Sequence, residues 1–158
     1  MGNEHALVDR LWTFSWTYAD FVLRPDMLSL ARLILGEASR RPESAVTYHQ
    51  TGPGLAFAGI VSFIEESVAA GELATDEPEF AAQDLWSLIL SGTRDHYLHY
   101  ANERPTRDEL LAAITHGLRV FLTVYSTDAE TDLAALDQLA KTEANTSARA
   151  SDGASEPR

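Results

Sequence analysis

The chain has 158 residues, 45% hydrophobic and 23% charged, enough for one globular domain with a core of its own. It carries 12 Lys+Arg against 24 Asp+Glu, a formal net charge of −12, with one lysine (Lys141) and scattered arginines, which excludes a clustered cationic face for nucleic-acid phosphates. The absence of cysteine excludes disulfides and thiolate metal sites, no signal-like segment opens the chain, and no apolar run approaches the roughly 20 residues of a membrane span, so a soluble cytoplasmic protein is expected.

Nearly every segment reads as helix. A first helix is expected from about Ala6 to Leu23, with Leu7, Leu11, Phe14, Tyr18, Phe21 and Val22 at helical spacing. Arg24-Pro25-Asp26 is a joint, because proline suits the first turn of the next helix, which carries Met27, Leu30, Ala31, Ile34 and Ala38. Pro42 forces a restart, and a short helix leads to Gly52-Pro53-Gly54, a kink or a turn. A long helix follows with Phe57, Ile60, Val61, Ile64 and Val68 on one face, closed by Gly71 in the left-handed conformation. Asp76-Glu77-Pro78 opens the next, which runs to about Tyr100 or Ala101.

Thr106-Arg107-Asp108-Glu109 reads as a capping box ahead of Leu110, Leu111, Ile114, Leu118, Phe121, Leu122 and Tyr125. A weaker box, Thr127-Asp128-Ala129-Glu130, starts a short tail helix over 127–142 with Leu133, Leu136 and Leu139. Residues 143–158 show no apolar periodicity and are expected to be disordered, leaving 1–126 as the folded domain. No strand pattern competes with these helices.

The helix from Glu79 has two apolar stripes, Ala81, Leu85, Leu88, Ile89 and Gly92 beside Ala82, Trp86, Leu90 and Tyr97. The helix from Arg107 is equally wide, with Leu110, Ile114, Gly117 and Phe121 beside Leu111, Leu118 and Leu122. A surface helix usually has one such stripe. The excess is buried either in a symmetric dimer through Leu85, Leu88, Ile89, Ile114, Leu118 and Phe121, or deep inside the monomer.

The order of these phrases resembles the TetR/AcrR-type transcriptional regulators. The resemblance rests on Met27–Glu43, with its Arg32, its Glu37-Ala38 pair and its Pro42-Glu43 helix start, and on Tyr48 through Gly52. It continues through Ala69-Ala70-Gly71-Glu72-Leu73, Asp76–Gln83, Leu88–Gly92 and Gly117–Leu122, spanning roughly Trp12 to Tyr125. It implies an all-α bundle of about six helices that dimerises through its last two long helices, with a small-molecule pocket in each subunit. The family's helix-turn-helix head has no counterpart before Trp12, so DNA contact is expected only through a head absent from this chain.

A pocket of this kind is concave, mostly apolar and sparsely polar. Trp12, Trp16, Phe63, Trp86, Leu90 and Arg94 are the expected ligand-binding residues, ordinary core being the commoner environment for any single aromatic among them. A small hydrophobic or amphipathic effector is the expected ligand. Arg94 pairs with such a ligand if it is acidic, or with Glu37. Asp95 and His99, at i and i+4, have a spacing compatible with a metal, with His116 as a third ligand, but no Glu-x-x-His or His-Glu-x-x-His pair occurs. No nucleophile elbow or phosphate loop is present either, so no metal, cofactor or catalytic residue is expected. Two other readings stay open: a headless interaction protein that heterodimerises with intact regulators, and an unrelated helical small-molecule carrier.

Overall fold

The computed structural model describes residues 6–153, except for the side chains of Ser91 and residues 149–153. These residues form α1 (Ala6–Val22), α2 (Pro25–Glu37), α3 (Pro42–Thr51), α4 (Pro53–Ala69), α5 (Pro78–His99), α6 (Arg107–Tyr125) and α7 (Ala129–Gly153). Proline stands at the first position of α2, α3, α4 and α5, where its missing N–H would be unpaired in any case. Gly71 closes α4 at φ 76, the left-handed conformation that favours glycine. No strand occurs among the described residues beyond a single antiparallel bridge, Leu73 to Ser126.

The capping box at Thr106 forms in full. Thr106 Oγ1 accepts from the Glu109 N–H at 3.2 Å, and Glu109 Oε2 accepts from the Thr106 N–H at 2.8 Å. The Thr106 backbone and side-chain bonds hold the Glu109 carboxyl below its usual range. Because that pKa is depressed on folding, the stabilisation is present above the usual carboxylate range and fades as pH falls through the folded value. Thr106→Ala is expected to lower stability by about 1 kcal/mol in denaturant titration.

The second box does not form. Thr127 Oγ1 instead donates to the carbonyls of Gly71 (2.8 Å) and Glu72 (3.1 Å), tying the end of α4 to the start of α7. Asp128 takes the capping role, its Oδ1 accepting from the Thr131 N–H at 3.3 Å.

α5 and α6 run antiparallel. Tyr125 Oη donates to Asp84 at 2.6 Å, Gly117 meets the backbone of Leu88, and Tyr97 Oη donates to Glu109 at 3.3 Å. Arg32 of α2 closes the other end, donating to the Leu98 (2.8 Å) and Tyr97 (2.6 Å) carbonyls in the last turn of α5. α7 is longer than the tail helix expected over 127–142 and continues to Gly153. It packs along α6 and α1 with Leu136 fully buried. Arg119–Asp137 and Arg107–Glu143 pairs join it to α6, and Ser147 Oγ donates to Asp108 at 3.2 Å. Helix therefore replaces the disorder expected from 143 onward as far as Gly153, while the rest of that tail, 154–158, lies outside the described residues.

This packing corrects the expected dimer contacts. Leu85, Ile89, Ile114, Leu118 and Phe121 are all buried within one chain, at 1% exposure or less. α4 packs on α5, and α7 and α1 pack on α6, supplying the apolar partners that the two-stripe helices require, so these five side chains have no surface left for a second subunit. Of the six, only Leu88 remains partly open.

Candidate functional site

Two cavities flank α1. The larger, about 980 Å³, is bounded by the end of α1, the α3–α4 joint at Gly52-Pro53, and the middle of α5. Its volume is of the size that holds a drug-sized ligand. Tyr18, Phe57 and Trp86 form its aromatic wall, the Trp86 ring lying 4.9 Å from Tyr18 and 6.0 Å from Phe57 between centroids. The polar groups on the wall are Tyr18, Tyr48, His49, Thr51, Gln83, Ser87 and Arg94. Burial pushes the Tyr18 hydroxyl up to about 12, with the Arg94 guanidinium pulling the other way, so Tyr18 remains a neutral donor across the physiological range.

The smaller cavity, about 680 Å³, lies between α1 and α4 and is lined by Phe14, Thr17, Gly59, Ile60, Phe63 and others. Arg10 sits over the Phe63 ring at 5.1 Å and also pairs with Glu72. Phe14 of this cavity stacks on Tyr18 of the larger one at 5.8 Å, and Ala56 lines both.

Trp86 and Arg94 are therefore brought together in the larger cavity, and Phe63 lines the smaller one. Trp12 and Trp16 line neither. They meet edge to face at 5.9 Å on the opposite side of α1, where Arg107 of α6 covers the Trp16 ring at 3.7 Å. Leu90 is a buried core residue and also lines neither cavity. The residues missed from sequence are Tyr18, Phe57, Tyr48 and His49 above all. The signal was present on α1, where Phe14, Tyr18 and Phe21 recur at i, i+4 and i+7, roughly half a turn away from Trp12 and Trp16.

Glu37 pairs with Arg40 at 3.7 Å rather than with Arg94. Asp95 and His99 are exposed on α5, the His99 ring meeting the Asp95 backbone carbonyl at 2.8 Å, and His96 pairs with Glu103 at 2.8 Å. No three metal-ligating side chains are grouped among the described residues. No helix among them is long and apolar enough to cross a membrane.

Over residues 9–127 the sequence matches the family of C-terminal domains of AefR-like transcriptional repressors. Among solved structures, the fold is similar to a protein of Mesorhizobium loti MAFF303099 assigned to the TetR family of transcriptional regulators. That similarity has a TM-score of 0.72 at 22% identity, over 76% of this chain and 59% of that one. It is also similar to the flavonoid-responsive regulator FrrA, with a TM-score of 0.69 at 24% identity, over 77% of this chain and 62% of that one. The chain thus spans less than two thirds of the length of either regulator. No curated protein matches it.

Proposed function

The chain belongs to the TetR family of transcriptional regulators, as an AefR-like C-terminal domain, and from that premise we propose that it senses a small amphipathic effector and pairs with a second copy of itself. DNA contact is left to a segment other than this acidic one, and no catalytic role is assigned to it. The observation that carries the proposal is the placement of α5. One face of this helix supplies Gln83, Trp86, Ser87 and Arg94 to the larger cavity. Its outer face carries Phe80, 62% exposed, and Leu88.

On α6, Ala113, Val120 and the 63% exposed Val124 fall at the spacing of one helical face, next to the α5 stripe. These residues, rather than the buried five, form the proposed isologous interface. An effector that reshapes the α5 wall of the cavity then shifts the helix on which the partner sits, and the coupling passes through one rigid element. A response to flavonoids, which the name of FrrA states for that regulator, fits the aromatic wall here.

The test is a thermal-shift screen of aromatic compounds on the wild type and on Ala56→Trp, which fills the space shared by both cavities. A true ligand at about 100 times its Kd stabilises the wild type by roughly 2.7 kcal/mol. It is expected to leave Ala56→Trp unchanged. Equal stabilisation of the two proteins by every hit would place binding elsewhere and end the proposal.

A further inference from the structure

The wall of the larger cavity is chemically one-sided. None of its lining residues is Asp or Glu, in a chain with 24 of them among 158 residues, and one is an arginine. Elsewhere, Arg10, Arg24, Arg40, Arg107 and Arg119 hold carboxylates, while Arg32 and Arg104 hold backbone carbonyls. Arg41 lies exposed to water. Arg94 differs from all of these. It is half-buried on the cavity wall, and no carboxylate or other hydrogen-bond acceptor is matched to it among the described residues.

A guanidinium stays charged at any accessible pH and presents a rigid fork of donors. Partly withdrawing it from water without an acceptor is unfavourable, so its retention beside an aromatic wall points to an anion that arrives from outside. The planar fork matches a planar carboxylate through two parallel hydrogen bonds. A single guanidinium neutralises a single charge, which disfavours a dianionic phosphate in the same space. The rings of Tyr18, Phe57 and Trp86, inclined to one another by 55° and 69° about Trp86, offer edges and faces to a planar ring system.

We infer that the cavity takes an aromatic carboxylate, its two oxygens on the Arg94 guanidinium and its rings among Tyr18, Phe57 and Trp86. The inference rests on the effector-site proposal and adds to it the sign of the ligand's charge and the nature of its body. Tyr18, held protonated by burial, is an additional neutral donor on the same wall.

The experiment is isothermal titration of the full chain, near neutral pH, with biphenyl-4-carboxylate, its neutral carboxamide and decanoate. The aromatic acid is expected to bind the wild type about 10- to 100-fold more tightly than the amide. Arg94→Gln is expected to reduce the acid to about the level of the amide, with circular dichroism reporting that the variant is folded. Arg94→Lys keeps the charge without the fork and is expected to fall between the two; this variant decides the matter if Arg94→Gln does not fold.

Amide and acid binding equally, or full acid affinity in either Arg94 variant, would overturn the charge assignment while leaving the effector site standing. Decanoate binding as tightly as the biphenyl acid would overturn the aromatic assignment. Failure of all three compounds to bind would overturn the inference outright, and the Ala56→Trp screen would then decide the effector site on its own.

Discussion

Gly117→Ala is expected to lower the melting temperature by on the order of 10 °C, from about 3 kcal/mol of lost stability at the upper end of the overpacking range. A Cβ at this position would lie 2.4 Å from the Leu88 carbonyl oxygen, 2.7 Å from its carbon and 3.1 Å from the Ile89 Cα. All three are backbone atoms, so no side-chain rotation relieves the clash and α5 must move away from α6. That movement loosens the packing of Leu85, Ile89, Ile114 and Phe121, and strains the Tyr125–Asp84 hydrogen bond at the end of the pair. Gly36→Ala is the control, since a Cβ there meets nothing within 4 Å. Calorimetry in which both variants melt with the wild type would show that α5 and α6 do not approach this closely.

Val124→Asp is expected to give a folded monomer. Val124 is 63% exposed in the single chain, so aspartate is tolerated there until a second subunit covers it. Burying unpaired charges at a paired interface then costs about 3–5 kcal/mol, a hundredfold or more in the dimer dissociation constant. The residue three positions earlier on α6 behaves differently. Phe121 is fully buried between α6 and the rest of the chain, so Phe121→Asp is expected to unfold the protein rather than separate intact subunits. Two positions three residues apart on one helix thus distinguish the outer face from the core, read by circular dichroism alongside sedimentation.

Helix positions were legible in the sequence wherever chemistry punctuates the chain. Proline at four helix starts, Gly71 at a helix end and the Thr106–Glu109 box each act within one turn, and local spacing reveals them. The length of α7 was not legible, because its final third has no apolar stripe. Polar contacts such as Glu143 with Arg107 and Ser147 with Asp108 hold its inner face, and these join residues 36 and 39 positions apart. The same long-range packing misled the reading of α5 and α6. Their width reflects burial of α5 by α4 and of α6 by α7 and α1, while Leu88, Val120 and Val124 stay partly or largely exposed.

At the site, sequence singled out Trp86, Arg94 and Phe63, and it left Trp12 and Trp16 either lining a wall or covering a neighbouring helix; that side of α1 packs against α6. Periodicity identifies the apolar faces of a helix without saying which neighbour each one meets. Tyr48 and His49 were hidden for a related reason. They sit on a ten-residue helix with no fully buried residue, and only the bend at Gly52-Pro53 turns them toward Trp86.

The most direct test of the dimeric sensor is the solution mass of the purified chain by light scattering over a wide concentration range. About twice the 17.4 kDa chain mass is expected for the wild type, falling to the single-chain value for Val124→Asp. A wild type that stays at 17.4 kDa at every concentration would contradict the dimeric sensor, leaving α5 with a cavity wall on one side and no partner on the other.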